Sequence, residues 1–368
     1  MMHKRITDTL LLASVLALLS IGVIMVYSTS SITALRYYHD EYFFLKKELL
    51  YASLGILFLL IFARIPYQYL GKRAYLILGL SFLGLILVLI PGIGVSIGGA
   101  KRWIHCGPLS MQPAEFAKLG LIIYLSFFLY KKQENLKKFS IGLLPPLVIT
   151  GVFSGLVLLQ PDFGTTFLLV ALLFILLFVG GGRILHLVFV LIFFGCPAIF
   201  LVVKSPYRLE RVLTFINPWK DPMGTGFQII QSFIAFGTGG VFGQGLGNGK
   251  QKLFYLPEAH TDFIFSVLGE ELGLIGVLIV ISLFLIVIYC GIRIALRSRD
   301  YLGTYLAVGI ISLMGLQAIV NMGVVMGLLP TKGTTLPFIS YGGTSLMISL
   351  VGVGILLNIS SQSRVYER

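Results

Sequence analysis

The chain has 368 residues, 57% of them hydrophobic and only 12% charged, and its mean hydropathy is +0.95. Soluble domains run nearer a quarter charged, so this composition excludes a water-soluble enzyme, a disordered chain and a collagen-like rod. The formal charge of +13 is spread over segments that flank apolar runs, the usual pattern of membrane spans and not of a nucleic-acid-binding face.

A span needs about 20 mostly apolar residues. Ten such segments follow in order: 9–28, 47–64, 73–91, 113–130, 140–159, 164–181, 184–203, 263–292, 302–329 and 339–360. His3, Lys4 and Arg5 precede the first, but its charge-free run from Thr9 to Leu35 is longer than the core of a cleaved signal, so it is expected to stay as a span. With the N-terminus inside, fifteen of the 28 Lys and Arg residues fall on the cytoplasmic side, against six in short outer segments. The expectation is an all-α polytopic membrane protein of about ten transmembrane helices, N-in and C-in, forming a single membrane domain over 1–368. Its cysteines (Cys106, Cys196, Cys290) are widely spaced and no HExxH motif occurs, so neither a disulfide framework nor a dedicated transition-metal site is expected.

Polar residues crowd the outer side. In 98–118, Lys101, Arg102 and Trp103 are placed at the outer interface, and Glu115 and Lys118 are spaced i, i+3 for an intramembrane salt bridge. Gln160-Pro161-Asp162 forms a short outer turn. The outer loop 204–262 is too long and too aromatic for a passive connector. Its stretch Gly226–Phe236 has the spacing of an interfacial or re-entrant helix. Lys204, Arg208, Arg211, Lys220, Lys250 and Lys252 suit either lipid headgroups or a phosphorylated lipid ligand. The glycines at 243, 245, 247 and 249 match no phosphate-loop pattern and read as a flexible turn back to the membrane.

Asp262 stands where this loop meets the eighth span. On a helix, Ser266, Gly269 and Gly273 would share its face and make room for a neighbouring helix. At a helix start such a carboxylate is either an N-cap or a working base. Glu270 and Glu271 lie deeper, where an ion pair inside the bundle is the first reading. In 330–345 prolines and glycines break the helix near the outer surface, a conformation tolerated only where protein or a wet cavity surrounds it.

These motifs resemble the SEDS family of bacterial cell-wall proteins. The resemblance runs through Lys101-Arg102-Trp103, Gln112-Pro113-Ala114-Glu115-Phe116-Ala117-Lys118, Gln160-Pro161-Asp162-Phe163-Gly164-Thr165 and Asn217-Pro218-Trp219. It continues through Gly243-Gln244-Gly245-Leu246-Gly247, Leu256-Pro257-Glu258-Ala259-His260-Thr261-Asp262-Phe263 and Pro337-Phe338-Ile339-Ser340-Tyr341-Gly342-Gly343. Ala114 and Thr344 stand where Ser is commoner in the family. The resemblance is greatest to the division and sporulation members, with the elongation member next.

It implies a glycosyltransferase that polymerises lipid II at the outer face of the cytoplasmic membrane, at the division septum, with Asp262 as the catalytic residue. Lys101, Arg102, Trp103, Arg208, Arg211, Glu258, His260 and Ser340 are the implied substrate-binding candidates. A class B penicillin-binding protein and other division proteins are the implied partners. A divalent cation, Mg²⁺ or Mn²⁺, is the implied cofactor, and no organic cofactor is implied. A lipid II flippase is the alternative from another class.

Overall fold

The computed structural model of the chain describes residues 2–97, 100–107, 109–224, 226–252, 256, 259–330 and 333–363. Helices α1 (Met2–Tyr38) and α2 (Phe43–Arg64) lead to a short α3 (Tyr67–Lys72). Then come α4 (Ala74–Leu89), α5 (Pro113–Lys131), α6 (Leu144–Leu159), α7 (Phe163–Val179) and α8 (Ile184–Val203). The large loop carries α9 (Pro206–Ile216) and α10 (Phe227–Gly239), and α11 (Ile264–Leu296), α12 (Tyr301–Val325) and α13 (Gly343–Ser363) follow. A helix thus falls on every expected span. Among the described residues, seven helical segments are long and apolar enough to cross a membrane by themselves, and α4 and α7 are apolar but shorter. The chain is a multi-pass, mostly helical membrane protein. In α2, Lys46, Lys47 and Glu48 interrupt the apolar run near its start.

One element departs from the all-α expectation. Segment 91–113 contains an antiparallel meander, β1 (Gly94–Ile97), β2 (Ala100–Cys106) and β3 (Leu109–Met111), with β2 in the middle. Its strands of three to seven residues are too short to span, and pairing within a small sheet satisfies backbone groups that lipid could not.

Two cores build the bundle. The first gathers α1, α2, α11, α12 and α13; the second gathers α4 to α8. Helix α5 is the wall between them: Leu119, Ile122 and Ile123 face the first, and Leu121, Leu125 and Leu129 face the second. Inside α5, Lys118 Nζ lies 2.7 Å from Glu115 Oε1, with both side chains buried. Helix α13 lies close along α2, with Gly55 beneath Leu350 and Gly343 beneath the Tyr51 ring. Lipid offers no hydrophobic drive between helices, so small residues that admit close backbone contact hold such pairs.

Helix α11 is broken at Gly273, whose φ is 66° and ψ −164°. The turn after α10 fills the break. Gln244 and Gly245 donate their N–H groups to Glu270 O (2.9 Å) and Glu271 O (3.0 Å), while Leu274 and Ile275 donate to Gly240 O (2.9 Å) and Val241 O (3.3 Å). The glycine-rich stretch, expected as a flexible turn back to the membrane, is a turn docked in that break. Glu270 accepts the N–H of Lys250 at 2.8 Å, and Glu271 pairs with Lys252 at 2.6 Å and with Ser28 of α1 at 2.7 Å. The expected buried ion pair is present, with Lys252 as its cation.

In α9, Leu209, Leu213 and Ile216 recur along one side and are exposed. An apolar stripe of this kind on a short helix outside the bundle fits one lying in the membrane interface.

Candidate active site

Asp262 stands in the turn 259–263, half-buried at the outer end of the bundle. Helix α11 starts at Ile264, with Phe263 as its N-cap and no side-chain cap bond. Asp262 thus stands one residue ahead of the N-cap position. Because Asp262 precedes the helix, it does not continue the face of Ser266, Gly269 and Gly273. That stripe admits α10 instead: Ser266 Oγ lies 2.7 Å from Ser232 Oγ, and the Phe236 ring covers Gly269.

Three segments fix the turn. Asn321 of α12 donates from Nδ2 to Asp262 O at 2.8 Å and to Thr334 O at 2.6 Å. Tyr341 donates its N–H to His260 O at 3.0 Å. The His260 ring packs between Phe44 of α2 and Tyr341, at centroid distances of 4.8 and 5.7 Å. Gly333 closes over the acid, and a Cβ there would stand 2.7 Å from Asp262 Oδ2.

The network extends to the sheet. The Tyr51 hydroxyl of α2 donates to Ser110 O at 3.0 Å and accepts the Ser110 N–H at 2.8 Å, and Thr344 Oγ1 donates to Ser110 O at 3.2 Å. Glu48, one turn before Tyr51, is 1% exposed; its carboxyl accepts the Gly342 N–H, and its Oε2 has no hydrogen-bond partner among the described residues. The meander, the start of α13, the outer end of α2 and the Asp262 turn are thus joined in one hydrogen-bonded and packed unit.

The other expected site residues are distributed around this unit. Lys101 is exposed on β2, and Trp103 is half-buried there. Arg102 donates from Nε to Gln160 O at 3.0 Å and from a terminal nitrogen to Pro161 O at 2.5 Å, so it ties β2 to the α6–α7 turn. Ser340 is buried and accepts the Leu336 N–H at 2.8 Å, shaping its own loop. The side chains of Arg208 and Arg211, and all of Glu258, lie outside the described residues. Asn321, Gly333, Tyr51 and Glu48 were not singled out by sequence. For Asn321 and Glu48 the available signal was a polar group inside an apolar helix. Among the described residues no three His, Cys, Asp or Glu side chains come together to hold a metal ion.

Comparison with known proteins decides the lineage. The chain matches the FtsW, RodA and SpoVE family, described as cell cycle proteins, over residues 8–365. It belongs to that family. It is 50% identical over 354 residues to the probable peptidoglycan glycosyltransferase FtsW of Trichlorobacter lovleyi, covering 96% of this chain and 93% of that protein. It is 46% identical over 363 residues to the stage V sporulation protein E of Bacillus subtilis, covering 98% and 99%. Among solved structures, a chain of a peptidoglycan synthase complex that coordinates polymerization and crosslinking superposes with a TM-score of 0.78 at 31% identity, covering 96% of this chain and 97% of that one. The family expected from the motifs is the family found.

Proposed function

We propose that this chain is a peptidoglycan glycosyltransferase that polymerises lipid II at the outer face of the bacterial cytoplasmic membrane, acting at the division septum beside a class B penicillin-binding protein. The observation that carries the reading is a half-buried acid just ahead of α11, in a turn held by three separate segments at the mouth of the bundle. Its supports are the family membership and the identity to probable glycosyltransferases.

In this mechanism Asp262 accepts the proton of the acceptor sugar's 4-hydroxyl. That oxygen attacks the anomeric carbon of the donor's muramyl sugar, and undecaprenyl pyrophosphate leaves from the opposite face. An α-linked donor thus becomes a β-linked product. One general base suffices, because a pyrophosphate leaving group needs charge neutralisation and no acid. Lys101, Arg208, Arg211 and the remaining N–H groups of Arg102 are the cations proposed for that task. Trp103, Glu258 and His260 are proposed to line the sugar path, and no step is routed through a metal.

A flippase would favour bare helix ends and polar sites near the midplane. The break in α11 is instead filled by backbone of the 240–245 turn. The test uses purified protein reconstituted with its transpeptidase and lipid II. Asp262→Asn is expected to fold and bind the partner normally, with polymerisation reduced by at least about 10²- to 10⁴-fold. Glycan of wild-type length and rate from that variant would overturn the assignment. A flipping assay on the same proteoliposomes separates the transporter reading.

A further inference from the structure

Asn321 is 1% exposed in α12, and its Nδ2 meets two carbonyl oxygens, those of Asp262 and Thr334. Only the nitrogen end of an amide can donate to two carbonyls, so these partners fix its orientation. Its Oδ1 is buried with no hydrogen-bond partner among the described residues. What the two hydrogen bonds accomplish is specific: they bind the turn that carries Asp262 to the strap 333–336. Gly333, the first residue of that strap, lies against the carboxylate, as the 2.7 Å from its would-be Cβ to Asp262 Oδ2 shows. The far side of the strap is held by Thr335 Oγ1 on Ser345 Oγ at 3.0 Å.

We propose that Asn321 is a positioning residue for the glycosyl transfer. It fixes the distance between strap and acid, and so the approach of the acceptor hydroxyl to Asp262. The inference rests on Asp262 being the base. Asn321 touches neither substrate nor the reacting oxygen, and it acts through the two backbones it joins.

A misplacement of about 1 Å at a reacting group lowers rate by about 10²-fold without a matching loss of binding. Asn321→Leu removes the donors at similar size, and Asn321→Asp sets an acceptor against two carbonyls. In polymerisation assays on the reconstituted complex, each is expected to lower kcat by about 10- to 100-fold while KM for lipid II stays within about threefold. Asn321→Gln, which keeps the amide donor, is expected to recover part of the rate. Hydrogen exchange of the 333–336 amides in the intact protein is expected to rise in the Leu and Asp variants. Unchanged exchange, or unchanged kcat per folded enzyme, overturns the proposal, as does a loss of activity that only follows a fall in Tm. Should the Asn321 variants fail to fold, Thr335→Val loosens the same strap from its other anchor, and an unchanged kcat there rejects the strap's role. If wild-type protein makes no glycan, the functional reading fails, and the exchange measurement still decides whether Asn321 clamps the strap.

Discussion

Between 262 and 271 three carboxylates meet three fates. Asp262 stays half-buried at the mouth, Glu270 accepts loop N–H groups, and Glu271 is buried against Lys252 and Ser28. Chemistry separates them only through their neighbours. Glu271 and Lys252 are both nearly inaccessible, with Lys252 Nζ also 3.0 Å from Ser28 Oγ. Removing one member of a buried pair strands the other charge and costs about 3–5 kcal/mol, whereas replacing both with apolar groups of similar size is often neutral. Lys252→Met is therefore expected to lower Tm sharply, and Lys252→Met with Glu271→Leu to restore most of it. Thermal unfolding of purified protein in detergent checks this. Equal losses in the single and double variants would mean that the loop docks for another reason.

At the scale of elements, the telling unit is the broken α11 with its docked turn. A helix interrupted in a bilayer leaves carbonyls and N–H groups that lipid cannot satisfy. Here the turn after α10 supplies four hydrogen bonds across the break. Gly273 sits at φ 66° and ψ −164°, a region reserved almost wholly for glycine, and a Cβ there would lie 2.6 Å from Val241 O. Gly273→Ala is expected to destabilise by at least about 1–3 kcal/mol through backbone strain alone. Protease cutting in 240–252 should rise with it, since the turn loses its dock. A variant with unchanged Tm and unchanged cutting would refute this account of the break. The meander has a related role: through Arg102 it joins the α6–α7 turn, and through Ser110 it joins α2 and α13.

For the molecule as a whole, function depends on which side of the membrane the Asp262 unit faces. The basic residues Lys131, at the end of α5, and Lys132, Lys137 and Lys138, between α5 and α6, mark the inside, and the meander and the large loop the outside. In a background without the three native cysteines, Ser96→Cys on exposed β1 is expected to react with an impermeant thiol reagent on intact cells. Gln133→Cys is expected to react only after permeabilisation. The opposite labelling would place the acid in the cytoplasm, where the proposed chemistry has no role. The two cores sharing α5 make that unit one rim built from both halves of the chain.

The sequence by itself determined what depends on local transfer energies and short spacing. Each span is a sum over its own residues, so the ten segments, the basic bias, the helix near 227–239 and the i, i+3 pairing of Glu115 with Lys118 were readable. The motif around Asp262 also carried the family. Only the tertiary structure decided the rest. Asn321 reads as one polar residue in an apolar helix until its amide meets Asp262, 59 positions away in sequence. Gly273 reads as one small residue on a continuous helix face until a distant turn is seen filling a break there. Lys252 counted as a surface cation until Glu271 and Ser28 closed on it. In each case the stabilising partner is remote in sequence, and within a low-dielectric bundle that partner determines whether a polar group is tolerated and what it does.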